Sequence, residues 1–210
     1  MFVEINPLNI DQRLIILAVN HLKKGGLLIF PTDTVYALGC DLKNKNALQS
    51  LAQIKGRKLN KVNFSIICSD LSHLSDYTRQ LDRSVFKLLK YYLPGPFTFI
   101  LNASNEVPKY FDSNKKEIGI RIPNNEITLE IVRLLGNPLA TSSLHNDEDE
   151  IQEYFSNPTV IYERFSDKID FIESIILDIS PPEATFFNKP KSVPLLAENK
   201  NSSSSFPFSK

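Results

Sequence analysis

An α/β fold is what this sequence predicts, and three observations predict it. Apolar runs of strand length alternate with segments whose apolar residues recur at helical spacing. Glycine and proline stand at most of the junctions. With 42% of its 210 residues hydrophobic, the chain can bury a substantial core as one large domain, or as a domain with a tail.

Residues 11–24 read as an amphipathic helix, with Leu14, Ile15, Ala18 and Leu22 on one face. Asp11 and Gln12 begin it, Lys23 and Lys24 suit the negative end of its dipole, and Gly25 supplies a left-handed cap. Residues 26–30 follow as a buried strand. A second helix spans 45–55, with Leu48, Leu51 and Ala52 inward and Gly56 ending it, and 64–68 is a strand. Residues 82–92 form a helix with Val85, Phe86, Leu88 and Leu89 inward; Pro94-Gly95-Pro96 stops it, and 97–101 returns as a strand. Strand 118–122, helix 127–135 closed by Gly136, and short strand 139–142 complete the alternation. Residues 147–154 read as a further helix whose acidic first turn suits the dipole. There is no internal repeat. The Lys/Pro/Ser/Asn-rich stretch that ends in Asn201-Ser202-Ser203-Ser204-Ser205 is too polar and proline-broken for a core element. The folded domain is therefore expected over 1–183 and a disordered polar tail over 184–210.

Several function classes are excluded at this level. No apolar stretch approaches the roughly 20 residues that span a bilayer, and the N-terminus has no basic segment leading into an apolar core. Membrane and secretory roles are thus not expected. Cys40 and Cys68 form no Cys-x-x-Cys pair and read as reduced thiols, which points to the cytoplasm. His21, His73 and His145 are far apart and show no metal-ligand spacing, so no protein-bound metal is expected. Net charge is zero overall but divides sharply. Residues 41–121 hold 14 basic and 7 acidic side chains, net +7, whereas 122–210 hold 7 basic and 14 acidic, net −7. A basic half is what an anionic ligand selects, although solvated helix faces also carry such charge.

Three stretches bear residues suited to chemistry. The apolar run 27–30 stops at Pro31, and Thr32, Asp33, Thr34, Tyr36 and Gly39 follow at once. Ligands bind at the carboxyl ends of strands in α/β sheets; the plainer reading is a strand-breaking turn whose hydroxyls satisfy loose backbone groups. The segment Lys55-Gly56-Arg57-Lys58-Leu59-Asn60-Lys61 offers four cations in seven residues, which suits phosphate oxygens, or else a solvated helix terminus. Arg121 sits in the apolar strand 118–122. A charge is costly to bury unpaired, so Arg121 either faces solvent or meets an anion in a cleft.

Pro-Thr-Asp-Thr-Val-Tyr-Ala-Leu-Gly at 31–39 resembles a motif of the YrdC-like family, whose members include enzymes that make threonylcarbamoyl-adenylate. Four more stretches match that family in order. Lys55-Gly56-Arg57 resembles its Lys-x-Arg motif, and Leu93-Pro94-Gly95-Pro96-Phe97-Thr98 its Pro-Gly-Pro turn. Ile118-Gly119-Ile120-Arg121-Ile122-Pro123 resembles its second arginine strand, and Pro138-Leu139-Ala140-Thr141-Ser142-Ser143 its serine loop. Asn63-Phe64 and Thr141-Ser142-Ser143-Leu144 favour the YciO-like branch. The similarity runs from about Gly25 to Phe171.

The resemblance implies a twisted mixed β-sheet flanked by helices, with a concave basic cleft. It implies L-threonylcarbamoyladenylate synthase chemistry, in which L-threonine, bicarbonate and ATP give threonylcarbamoyl-AMP and pyrophosphate for N6-threonylcarbamoyladenosine in tRNA. ATP contacts carry over to Lys55, Arg57 and Ser143, with Lys61 nearby; L-threonine contacts carry over to Thr34, Arg121 and Thr141. No side chain is a nucleophile, so no catalytic residue is assigned, and Mg2+ is implied with ATP as substrate. Glu117 stands where the synthases usually have a hydroxyl residue near the nucleotide, and His145 where they have an asparagine. After Ile172 the family pattern is lost, through divergence or a frameshift, and the family's Ser-Thr-Val-Val-Asp strand is expected to be missing. Pro181-Pro182-Glu183-Ala184-Thr185 stands in its place, which predicts an impaired synthase. The alternatives are a non-catalytic or weakly active paralogue that binds nucleotide or double-stranded RNA through the basic cleft, and a sheet-based protein-interaction module.

Overall fold

The computed structural model describes residues 2–114, 116–143, 161, 174–178 and 191–194. One mixed sheet runs through the described residues in the order β1-β8-β2-β3-β7-β4-β6-β5-β9. Its strands are β1 (Phe2–Glu4), β2 (Leu27–Phe30), β3 (Ala37–Asp41), β4 (Ser65–Ile67), β5 (Phe97–Asn102), β6 (Glu117–Arg121), β7 (Leu139–Ser143), β8 (Ser174–Asp178) and β9 (Lys191–Pro194). The pairs β1/β8, β2/β8, β4/β6 and β5/β9 are parallel, and β2/β3, β3/β7, β4/β7 and β5/β6 antiparallel. The helices are α1 (Gln12–Lys23), α2 (Lys45–Ile54), α3 (Leu71–Ser75), α4 (Arg83–Tyr92), α5 (Val107–Tyr110) and α6 (Glu126–Leu135).

Helices α1, α2 and α6 form where an apolar stripe and a side-chain cap agree, whereas α4 has no side-chain cap hydrogen bond. Asp11 Oδ1 accepts the Arg13 amide ahead of α1, Asn44 accepts the Ala47 amide ahead of α2, and Asn125 accepts the Thr128 amide ahead of α6. Gly136 ends α6 with φ +74, a left-handed value that a side chain would resist.

Alternation along the strands divides the core between two faces. On β2, Leu27 and Ile29 join α2, Phe64, Ile66 and Ile120 in one cluster. Leu28 and Phe30 turn the other way, to Ile15, Ala18 and Leu22 of α1 and Ile131 and Val132 of α6. All four β2 residues are fully buried, which is why this strand reads as a continuous apolar run. Each such side chain contributes about 1.5–3 kcal/mol by leaving water.

The expected elements among the described residues are present with ends shifted by a residue or so, and before the C-terminal part four further ones appear. β1, β3, α3 and α5 were not expected, being three to five residues long. Phe86, expected inward on α4, is exposed. The 147–154 helix lies outside the described residues.

The C-terminal expectations need correcting at two places. Ser174-Ile175-Ile176-Leu177-Asp178 is the strand that was expected to be missing: as β8 it lies between β1 and β2, parallel to both. Its apolar centre fits a position flanked on both sides, and the prolines at 181 and 182 come after it rather than within it. The inference of an impaired synthase loses its structural basis with this correction. Lys191–Pro194, placed by the sequence within a disordered tail, forms β9 on the outer edge of β5. An edge strand tolerates proline and lysine, which is why its composition misleads. The rest of 184–210 lies outside the described residues.

Candidate functional site

Strands β7, β4 and β6 lie side by side with Thr141 opposite Ser65 and Ser65 opposite Gly119, while Ile67 stands opposite Arg121. These residues sit on the same sheet face that α1 and α6 cover farther along, where Ala37 and Ile67 join the α1/α6 cluster. Beyond those helices no described element covers the face. A cavity of about 410 Å³ forms there, walled by the loop after β2, the segment after α2, and strands β4 to β7. That volume matches small-molecule sites. Gly119 lets Ser65 and Thr98 of the wall pack closely across β6: a Cβ there would lie 2.7 Å from Ser65 Oγ and 3.2 Å from Thr98 Cγ2.

The loop after β2 is a hydrogen-bonded turn. Thr32 Oγ1 accepts the Thr34 amide at 3.1 Å and the Val35 amide at 3.3 Å, and donates to the Val35 carbonyl at 2.7 Å. From α6, the Thr128 hydroxyl donates to the Pro31 carbonyl at 2.6 Å and pins the start of the turn. The turn presents Asp33 and Thr34 to Arg121. Arg121 Nη2 donates to Asp33 Oδ1 in an ion pair, and to Thr34 Oγ1 at 3.0 Å. The pair is nearly enclosed, with side-chain exposures of 9% for Arg121 and 12% for Asp33. Burial pulls the Arg121 guanidinium below its ordinary pKa, against the opposing pull of Asp33. Among the described residues, Arg121 Nε and Asp33 Oδ2 are buried without a hydrogen-bond partner.

Five of the seven residues selected from the sequence line the cavity: Lys55, Arg57, Arg121, Thr141 and Ser143. Arg57 is exposed and Lys55 half-buried, so the cations stand at the open side, with Arg121 deep in the wall. Thr141 Oγ1 donates to the Ser65 carbonyl at 3.3 Å, which ties its hydroxyl to the neighbouring strand. Thr34 is buried and does not line the cavity; it holds Arg121 from behind. Lys61 is exposed and stands off the wall. Glu117 is exposed at the far end of β6 from Arg121 and does not line the cavity. His145 and Leu144 lie outside the described residues. The ligand contacts that the resemblance implies leave out Asp33, the partner of Arg121, and the wall residues Thr32, Tyr36, Ser65 and Thr98. For Asp33, Thr32 and Tyr36 the signal was present, in the polar cluster that follows Pro31.

Cys40 and Cys68 are buried free thiols, and desolvation drives both pKa values upward, so neither serves as a nucleophile. Among the described residues no three His, Cys, Asp or Glu side chains come together to hold a metal. No described helix is long and apolar enough to cross a membrane.

A mixed sheet with a buried arginine in the wall of its cavity and two further cations lining the same cavity defines a polar cleft of small-molecule size. The Sua5/YciO/YrdC family, described under telomere recombination, matches residues 20–184, and the chain belongs to that family. The match extends past Ile172, where the sequence alone suggests that the family pattern is lost. The protein YciO of Escherichia coli is 39% identical over 172 residues, covering 81% of this chain and 82% of its own length. The crystal structure of E. coli YciO superposes with a TM-score of 0.76 at 34% identity, covering 93% of this chain and 90% of that one. Threonylcarbamoyl-AMP synthase of Nitrosococcus oceani is 32% identical over 127 residues, 60% of this chain and 68% of its own. Sua5 of Pyrococcus abyssi, crystallised with L-threonine, gives a TM-score of 0.79 at 25% identity, covering 93% of this chain and 54% of that one.

Proposed function

We propose that the cleft binds ATP and a small amino acid, and that the protein catalyses threonylcarbamoyl-AMP synthase-type chemistry serving tRNA modification. One observation carries this reading. Arg121 is about nine-tenths buried and lines the cavity, and its Nη2 is held by Asp33 and Thr34, yet among the described residues its Nε has no hydrogen-bond partner. A guanidinium kept in place and half unused is a seat for a carboxylate. The relationship to synthases and to Sua5, crystallised with L-threonine, supports an amino acid as its owner.

In this reading the threonine carboxylate rests on Arg121, with Thr141 beside it and Thr34 acting through Arg121. The amine captures CO2 from bicarbonate as a carbamate. A carbamate oxygen then attacks the α-phosphorus of ATP, and pyrophosphate leaves. No protein nucleophile enters; Lys55, Arg57 and Ser143 orient the phosphates and offset their charge. Lys61 adds positive potential from outside the wall. Mg2+ would arrive on the ATP phosphates, since the described residues form no cage for it.

The test is ATP-dependent pyrophosphate release. Release that needs both L-threonine and bicarbonate, and that Arg121→Gln abolishes, is the expected result. ATP binding without threonine-dependent release would overturn the catalytic reading. It would leave the paralogue that binds nucleotide or double-stranded RNA, which the tied-back Thr141 hydroxyl favours.

A further inference from the structure

Arg121 and Asp33 are not arranged as a closed pair. A guanidinium and a carboxylate can meet through two parallel hydrogen bonds, Nε and one Nη each taking an oxygen. Here a single nitrogen, Nη2, takes Asp33 Oδ1, while Arg121 Nε and Asp33 Oδ2 stay buried and unpartnered. Unsatisfied buried polar atoms are rare in folded proteins, and two on one ion pair call for a cause. The backbone supplies it. Asp33 is fixed by the turn that Thr32 closes and Thr128 anchors, and Arg121 by β6, paired to β4 and β5. These backbone positions do not bring the two groups into the two-bond arrangement, so one donor and one acceptor are left over, while the guanidinium keeps the freedom of its side-chain torsions.

We propose that Asp33 is a specificity-determining residue that makes this seat select a dipolar ligand, an α-amino acid in its zwitterionic form, over a simple carboxylate; this rests on the amino-acid reading above. A lone buried arginine would favour any anion. With Asp33 beside it the pair carries no net charge, so a bare anion gains attraction from Arg121 and meets repulsion from Asp33. A zwitterion engages both: its carboxylate draws the guanidinium toward the cavity, and that movement uncovers Asp33 Oδ2 for its ammonium group. Both leftover atoms then find partners.

Calorimetric titration with matched ligands tests this. L-Threonine is compared with 3-hydroxybutanoate, and glycine with acetate, each pair differing in the ammonium group alone. The wild-type protein should prefer the amino acid by about 10- to 100-fold, the range of one charge-assisted hydrogen bond. In Asp33→Asn, nearly the same size, that preference should collapse, with the simple carboxylates binding more tightly than before. Asp33→Ser is the second variant, and thermal melts show which of the two keeps the fold. A wild-type protein that binds L-threonine and 3-hydroxybutanoate equally overturns this inference while leaving the amino-acid reading intact. So does an Asp33→Asn variant that strengthens both ligands alike, because Asp33 would then be a competitor only. Absence of any carboxylate binding sinks both readings.

Discussion

Replacing Thr128 by valine asks whether α6 holds the cleft in shape from outside it. Thr128 is fully buried, and its hydroxyl donates to the Pro31 carbonyl at 2.6 Å, where β2 gives way to the turn bearing Asp33 and Thr34. Valine fills nearly the same space and deletes the donor. The Thr128 amide keeps its bond to Asn125 Oδ1 at 3.0 Å, so the helix cap survives. A buried carbonyl left without its donor costs about 1–3 kcal/mol. Taking about 2 kcal/mol, a chain of this length should lose roughly 4–8 °C in Tm. The loosened turn should also weaken L-threonine binding several-fold, since it presents Asp33 and Thr34 to Arg121. Thr128→Ser keeps the hydroxyl and gives up one methyl group, about 1 kcal/mol, and should bind as the wild type does. Thermal melts and calorimetry on both variants decide the matter. If valine and serine melt together and bind L-threonine equally, the anchoring role is wrong.

Further expectations concern separate parts of the molecule. Arg57→Ala should weaken ATP binding roughly tenfold to a hundredfold, the range of a charge-assisted contact, and unchanged affinity by calorimetry would remove Arg57 from the site. Arg121→Met leaves Asp33 buried without its counter-charge and should cost about 3–5 kcal/mol in urea unfolding; adding Asp33→Asn should recover much of it, and no recovery would contradict the pairing. Gly119→Ala drives a methyl group to 2.7 Å from Ser65 Oγ, so it should cost about 1–3 kcal/mol and narrow the cleft, read as a lower Tm with weaker ligand binding. Burial holds the His73 pKa below its ordinary 6.5, against Asp70 and Asp76. The unfolded chain therefore binds more protons in that window, and stability should fall as pH drops through it. Replacing His73 by Gln should flatten that slope.

The long helices and central strands were legible because each carries a signal on the scale of its own length. The α1 stripe of Ile15, Ala18 and Leu22 repeats at helical spacing, and Gly136 stands where a left-handed residue is needed. β3 was not legible. Ala37 to Asp41 is buried throughout and includes Gly39, so it shows neither alternation nor a bulky run. At the site, Arg121 drew notice because a cation in an apolar strand is costly. Asp33 stood out only as one of the polar cluster after Pro31, and its pairing with Arg121 was not legible, since the two lie 88 residues apart and are brought together through the β2/β3, β3/β7, β4/β7 and β4/β6 pairings. β8 is masked by the prolines that follow it at 181 and 182, although Ser174-Ile175-Ile176-Leu177-Asp178 carries an apolar centre of strand length. β9 has too few residues and too little apolar character to stand out, and its place comes from the exposed edge of β5.

The insertion of β8 has a consequence for how the chain matures during translation. β1 pairs with β8 alone, and β2 pairs with β8 on one side and β3 on the other. As the ribosome delivers the chain from its N-terminus, β1 has no hydrogen-bonding neighbour until residues 174–178 emerge. Until then β2, which is apolar along its whole length, presents one open edge. The most distant pairing in the molecule thus completes the sheet beside the loop that carries Asp33, and such late, non-local closure is slow and exposed to misassociation. Nascent chains halted before Ser174 should need a chaperone to stay in solution, whereas chains extended past Asp178 should not.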